Sequence, residues 1–262
     1  MEYNNKHDTE TLADSVDLML WAGQLLLKYG ADSLRVERSV LQLGRGLNVE
    51  ATDIFISHNS IMITTSWKKG FRTRIRNVKK HGINFTIISA LSKLSFKAKD
   101  GNLTSEEVRN ELQRIENIKS HYPRWMVIMM VGLACASFSQ LFGGDWPIFA
   151  ITFAAASVGM WLRQELVHRE YNLYIVVIAV AFSASIIAGL ASYFNWSADP
   201  ALGLAASVLL LVPGVPMINS VKDIMYNYTM VGLTRAIIGI IVSFCIAIGL
   251  ILSMTLIGLK SL

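Results

Sequence analysis

Five stretches without a single charged side chain, residues 125–144, 146–162, 171–198, 200–221 and 236–259, fill the second half of this sequence. A helix needs about 20 apolar residues to cross the roughly 30 Å hydrocarbon layer of a bilayer. Each stretch is long enough to span, with 146–162 at the short limit. The pattern predicts an α-helical membrane protein with five transmembrane helices, at 125–144, 146–162, 171–195, 200–218 and 236–259, in a domain covering 122–262. Clusters of small residues at 154–157, 183–185 and 203–207 permit close helix packing.

The first half is different in kind. Of the 24 Lys and Arg and the 19 Asp and Glu in the chain, 19 bases and 14 acids lie in residues 1–124, so the whole formal charge of +5 sits there. No early basic segment followed by an apolar core and a small-residue cleavage site is present, and the first apolar stretch, 19–27, is amphipathic. The amino-terminal domain, 1–121, is therefore expected to stay in the cytoplasm. Asp145 and Asp199 then face outside, Arg163, Arg169, Lys222 and Arg235 inside, and Lys260 outside. This excess of bases inside places the carboxyl terminus outside. Cys135 and Cys245 fall in apolar stretches, as small hydrophobes, and suggest neither a disulfide nor a metal site.

The fourth stretch cannot be an ordinary helix. Pro213, Gly214 and Pro216 remove donors and crowd the carbonyls one turn back, so the backbone must kink or unwind there. Pro123, Pro147 and Pro200 sit near helix starts, the latter two just after an Asp that can cap. Unsatisfied backbone at membrane depth is tolerated where it is buried in protein or lines a watery cavity, and interrupted helices are where transporters hold solutes and ions. Asn219 is three residues beyond Pro216 and Asp223 four beyond Asn219, so a helix resuming after Pro216 carries all three on one face. The competing reading ends the helix at Pro213 and leaves Asn219 and Asp223 in a solvated cytoplasmic loop, with Lys222 marking the membrane surface.

The amino-terminal domain reads as α+β. Leu12, Val16, Met19, Leu20, Gly23, Leu26 and Leu27 recur at helical spacing over 9–29, with Gly30 as C-cap, and a second helix starts near Asp32 or Ser33 and runs to Gly44. From 52 to 78 the period becomes two: Ile54 and Ile56, Ile61 and Ile63, and Phe71, Thr73 and Ile75 predict three short antiparallel strands, with turns at 58–60 and 68–70. The third puts Arg72, Arg74 and Arg76 on one face near Lys68, Lys69, Lys79 and Lys80. An anionic leaflet accounts for such a patch better than nucleic acid does. A helix over 84–99 follows, then a capping box, Thr104 to Glu107, with Leu103 and Val108 as its hydrophobic staple. Arg35 and Glu37 fit a solvated helix face. His7, His58, His81, His121 and His168 are scattered singly, and no nucleophile or metal-ligand spacing appears. No cofactor is implied.

Five features occur together in this order: Gly30-Ala31-Asp32-Ser33 with Arg35-Val36-Glu37, Thr73-Arg74-Ile75-Arg76, Gly82-Ile83-Asn84-Phe85, Phe142-Gly143-Gly144-Asp145, and Val212-Pro213-Gly214-Val215-Pro216 with Asn219 and Asp223. In these the chain resembles the threonine/serine exporter (ThrE) family, and its split form, in which a YjjP-like subunit works with a small membrane partner of the YjjB type. The family carries Glu more often where Asp32 stands. The resemblance implies a multi-pass protein of the bacterial inner membrane that exports small polar metabolites, hydroxy amino acids in some members and dicarboxylates such as succinate in others. Fused members carry both halves in one chain; this one matches the first half, so a second subunit is expected. An odd number of spans agrees with that, because a following five-span unit would run in the opposite sense, as in inverted-repeat carriers.

The expected solute path comprises Pro213, Gly214, Pro216, Asn219 and Asp223, with Asp223 as the titrating or gating carboxylate. Ser139, Gln140 and Asp145 form a second polar group near the outer mouth. Asp32, Arg35, Glu37, Arg72, Arg74 and Arg76 serve gating or partner docking. The expected contacts are a small-molecule substrate, the bilayer and the second subunit, without nucleic acid, and a homo-oligomer is compatible with the sequence. The reading is of a transporter rather than an enzyme. The alternatives are a membrane-anchored hydrolase-like enzyme, active without its spans, and a membrane-tethered interaction module.

Overall fold

A computed structural model describes residues 2–49, 52–67, 70–79, 81–101, 103–118, 122–194, 196 and 200–258, with side chains for all of these except 2–11, 52, 67, 70, 192, 193 and 200. Lys68, Lys69, Lys80, His121, Asp199 and Lys260 lie outside the described residues, as does the side chain of His7. The chain forms two compact units, one of Met1–Lys119 with Val215–Ala236 and one of Ser120–Gly214 with Ile237–Leu262.

In the first unit, α1 (Glu2–Lys28) and α2 (Ser33–Gly46) precede the strands β1 (Thr52–Ile56), β2 (Ser60–Trp67) and β3 (Gly70–Asn77), and α3 (Phe85–Lys99) and α4 (Ser105–Glu116) follow. The strands pair antiparallel in the order β1-β2-β3. Ile61 and Ile63 of β2 are fully buried in a core with Leu18, Met19, Leu26, Val36, Val40, Ile87, Leu91 and Leu112. This is the helical and period-two pattern of the sequence, gathered on one side of a small sheet.

Register decides where the strand arginines go. Arg72, Arg74 and Arg76 stand opposite Thr65, Ile63 and Ile61, so they share the core-facing side of the sheet. There Arg74 pairs with the Asp17 carboxylate, and Arg76 Nη1 reaches Gln24 Oε1 at 3.5 Å. Phe71 and Ile75, the apolar half of the alternation, are exposed on the other face. The three arginines share one face, as the alternation predicts, and on that face Arg74 and Arg76 meet side chains of α1.

Caps set the helix starts. Asn84 accepts from the amides of Thr86 and Ile87 ahead of α3, and Thr104 and Glu107 form the complete capping box of α4. Leu103 and Val108 both join the core.

The second unit holds α5 (Arg124–Leu141), α6 (Trp146–His168), α7 (Leu173–Tyr193), α8 (Pro200–Ser207) with a short 3-10 turn (Leu209–Leu211), and the later part of α10 (Thr229–Ile257). Four helices are long and apolar enough to cross a membrane, Arg124–Leu141, Trp146–His168, Leu173–Ala191 and Thr229–Ile257, and a fifth span exists if the bent pair Ala201–Leu211 and Gly214–Met225 counts as one. Less than half of each of the four is buried within the protein, and large apolar side chains such as Leu133, Phe138, Ile175 and Leu252 are exposed, as lipid contact requires. Trp125, Trp146, Tyr171 and Trp196 sit at helix ends, the position of an interfacial aromatic belt. Buried Ala155, Ala156, Ala181, Ala184 and Ala188 let helices approach closely. At Gly249 even a methyl group would come within 2.6 Å of the Ala181 Cβ and 2.8 Å of the Ile178 carbonyl.

The break in the fourth stretch is real. The helix ends at Leu211, Val212 and Pro213 are non-helical, and α9 (Gly214–Met225) begins at once. Pro216 falls in the first turn of α9, where amides have no intrahelical acceptor and a missing N–H leaves nothing unsatisfied. Asn219 and Asp223 are therefore on a helix, and Asp223 is buried, which removes the solvated-loop alternative.

Candidate functional site

The turn between α1 and α2 opens the site. Gly30 has a φ of +86°, which L side chains rarely adopt, and this turns the chain sharply after α1. Asp32 then caps α2, its Oδ1 accepting from the Arg35 amide at 3.0 Å while Arg35 Nε lies 3.7 Å from its other oxygen. The turn leaves the carbonyls of Gly30 and Ala31 and the amide of Ser33 for other partners.

Those partners come from α9 and α10. Asn219 Nδ2 donates to the Gly30 carbonyl at 2.8 Å, and one helical turn later Asp223 Oδ1 accepts from the Ser33 amide at 2.8 Å. Arg235, in the second turn of α10, completes the set. Its Nη1 donates to Asp223 Oδ2 at 2.8 Å and its Nη2 to the Ala31 carbonyl at 2.9 Å. The side chains of Arg235 and Asp223 are 8% and 1% exposed, so this is a buried ion pair with both charges hydrogen-bonded beyond it. The Ser33 amide is an orphan donor of the first turn of α2, and a carboxylate there also meets the positive end of that helix.

The corner between α9 and α10 is fixed by further bonds. The Tyr228 amide donates to the Asp223 carbonyl at 2.8 Å, and the Ser220 hydroxyl to the Gly232 carbonyl at 2.7 Å. The Tyr228 hydroxyl donates to Glu37 of α2, and burial together with that carboxylate pushes the phenol above its ordinary range. The first unit thus brings together Asp32, Arg35, Glu37, Asn219 and Asp223. Arg74 and Arg76 are held instead on α1, and Arg72 shares their face.

Ser139, Gln140 and Asp145 meet in the second unit, at the α5–α6 turn. Gln140 Nε2 donates to the Asp145 carbonyl at 2.8 Å, the Ser139 hydroxyl to the Ala136 carbonyl at 2.7 Å, and Asp145 caps α6 by accepting from the Ile148 amide at 3.0 Å. Each is engaged in shaping that turn. Gly214 has open space where a Cβ would stand. Among the described residues no three His, Cys, Asp or Glu are grouped to hold a metal ion.

Arg235 and Tyr228 were missed from sequence. In the sequence Arg235 reads only as an inside-facing base; its signal is its place at the very edge of an apolar stretch, twelve residues after Asp223.

The family described as "Putative threonine/serine exporter" (ThrE) matches residues 17–257. The chain belongs to that family. A Klebsiella aerogenes protein named "Probable succinate transporter subunit YjjP" is 36% identical over 236 residues, covering 90% of this chain and 91% of that protein. An Escherichia coli protein of the same name is 34% identical over 244 residues, 93% of this chain and 94% of that one. A Mycobacterium tuberculosis protein named "Probable threonine/serine exporter" is 18% identical over 241 residues, 91% of this chain but 45% of that protein. No solved structure matches. The ThrE match includes both the 30–33 turn and the α9–α10 corner, and with its apolar helices the chain is a multi-pass membrane protein of an exporter family.

Proposed function

We propose that this ThrE-family chain is one subunit of a secondary exporter of small polar metabolites, threonine and serine or dicarboxylates such as succinate, and that it acts with a second membrane subunit of the YjjB type. In this reading it lies in a bacterial inner membrane with its amino-terminal unit in the cytoplasm and its carboxyl terminus outside. Solute passes near the break at 213–223, the Asp223–Arg235 pair with Asn219 and the 30–33 turn is the gate, and Ser139, Gln140 and Asp145 line the outer mouth. Asp32, Arg35, Glu37 and the β3 arginines hold the gate's cytoplasmic frame or dock the partner.

One observation carries the reading. The polar residues that follow the broken span are joined by a buried ion pair and closed on the 30–33 turn by three further hydrogen bonds, from Asn219, Asp223 and Arg235. Such a set has two arrangements, made and unmade, and few graded ones between, as a gate requires. The relatives' names support the substrate class, and the word "subunit" in two of them supports a partner.

The test is efflux of labelled serine, threonine and succinate from cells carrying this chain alone, the five-span partner alone, or both. Export is expected only with both. No export of any of the three, with both proteins present in the membrane, contradicts the proposal.

A further inference from the structure

The inner side of α6 carries one charge that the fold leaves unanswered. Thr152 and Ala156 are fully buried and Gly159 is buried, so the side of α6 at this spacing is the one packed into the second unit. A Cβ built on Gly159 would stand 3.4 Å from Ala184 Cβ, 3.4 Å from Val180 Cγ1 and 3.5 Å from Leu210 Cδ2. Arg163 follows Gly159 by one turn on that same side, and it is half-buried there. Its neighbours Leu162 and Leu166 pack against a core that includes Val176, Val177, Val208 and Leu211. Val158, Trp161 and Val167 form the exposed side of the same helix.

Register sets what Arg163 stands beside. A Cβ on Gly203 would lie 3.5 Å from Thr152 Oγ1, and one on Gly159 meets Leu210, so Thr152 to Gly159 runs in step with Gly203 to Leu210. The next turn carries Arg163 level with 212–214, where the fourth stretch is broken. No acid of α6 answers it. Glu165 accepts from Arg169 Nε at 2.9 Å and lies 3.6 Å from Arg124 Nη2, while Asp145 caps the opposite end of the helix. Among the described residues no hydrogen bond or ion pair reaches the Arg163 guanidinium. A charge turned into a membrane domain without a partner is costly, and ionisable groups so placed mark solute paths. The fork of a guanidinium matches the two oxygens of a carboxylate.

We propose that Arg163 binds the carboxylate of the exported solute beside the helix break. This deepens the export reading above and rests on it. Serine, threonine and succinate all carry a carboxylate, so one guanidinium serves all three, and discrimination among them falls to other contacts. The phosphate of an anionic lipid offers similar oxygens, but it would approach from the exposed side of α6, where Val158, Trp161 and Val167 stand. Arg124 and Arg169, by contrast, are exposed and already share Glu165.

The experiment measures equilibrium binding of labelled succinate, serine and threonine to the full chain in neutral detergent, with succinamide, serinamide and threoninamide as competitors. At least one carboxylate should bind, and its amide should not displace it. Arg163→Gln should weaken that binding about tenfold to hundredfold, the loss expected for hydrogen bonds between charged groups, and Arg163→Lys should retain part of it. Without ligand, Arg163→Gln should unfold at the wild-type temperature or above, since it breaks no bond within the protein. The proposal is overturned if none of the three binds, if the amides compete equally, if Arg163→Gln binds undiminished, or if that variant unfolds earlier without ligand. Stabilisation by added phosphatidylglycerol that needs Arg163, with none from the carboxylates, assigns the residue to lipid and also overturns it. Efflux from cells carrying both subunits separates the two readings. Arg163-dependent binding without any export would retain the carboxylate site and refute the exporter, whereas export by Arg163→Gln at the wild-type rate and half-saturation would retain the exporter and refute the site.

Discussion

Replacing Arg235 with Met tests whether the gate is held by the ion pair or only by shape. The substitution leaves the Asp223 carboxylate, 1% exposed, with the Ser33 amide as its remaining charge-directed partner, and takes the donor from the Ala31 carbonyl. Stranding one member of a buried pair costs about 3–5 kcal/mol. Asp223→Leu should cost a similar amount by stranding the guanidinium. The double variant keeps no buried charge and loses only the partners of the Ser33 amide and the Ala31 carbonyl, about 1–3 kcal/mol each. The double variant should therefore cost about 2–6 kcal/mol where the two single variants sum to about 6–10, a coupling of about 4 kcal/mol at mid-range. Hydrogen exchange on α1 and α2 peptides of the full chain in one detergent gives these local opening energies. Additivity of the two singles within about 0.5 kcal/mol, the behaviour of independent sites, would refute the reasoning.

Gly249→Ala should destabilise the second unit by about 1–3 kcal/mol, read as a lowered thermal transition in detergent, because the methyl meets backbone of α7 that cannot step aside. Asn84→Ala removes both side-chain bonds that cap α3 and should cost about 1 kcal/mol in the first unit, seen as faster exchange in the first turn of that helix. Burial, with His81 stacked 4.6 Å away, lowers His58 from 6.5 to about 4, which fixes the sign of a pH effect. The unfolded chain binds the proton more readily, so stability is full above pH 6.5 and falls as pH drops toward about 4; titrating the unfolding midpoint over that window should show the loss, and His58→Gln should flatten it.

The helices and strands were legible because each is written in local periodicity and caps: Asp32, Asn84 and the Thr104–Glu107 box stand where the sequence puts them. The break at Pro213 was legible for the same reason. What was not legible is pairing across long separations. Nothing near Gly30 announces that its carbonyl will meet Asn219, 189 positions away, or that Ser33 will give its amide to Asp223. The strand arginines show the same limit, since their face depends on register with Ile61 and Ile63 rather than on β3 itself. The family resemblance singled out both the 30–33 and the 212–223 stretches, yet it could not say that they form one site.

The most direct test of the gate is solute efflux, as a function of pH, from cells carrying both subunits with Asp223→Asn in this chain at matched membrane level. Asparagine keeps the size and can still accept from the Ser33 amide, but it removes the charge that holds Arg235. The account predicts that regulated export is lost, either abolished or no longer dependent on pH. Export that matches the wild type in both rate and pH dependence would contradict it.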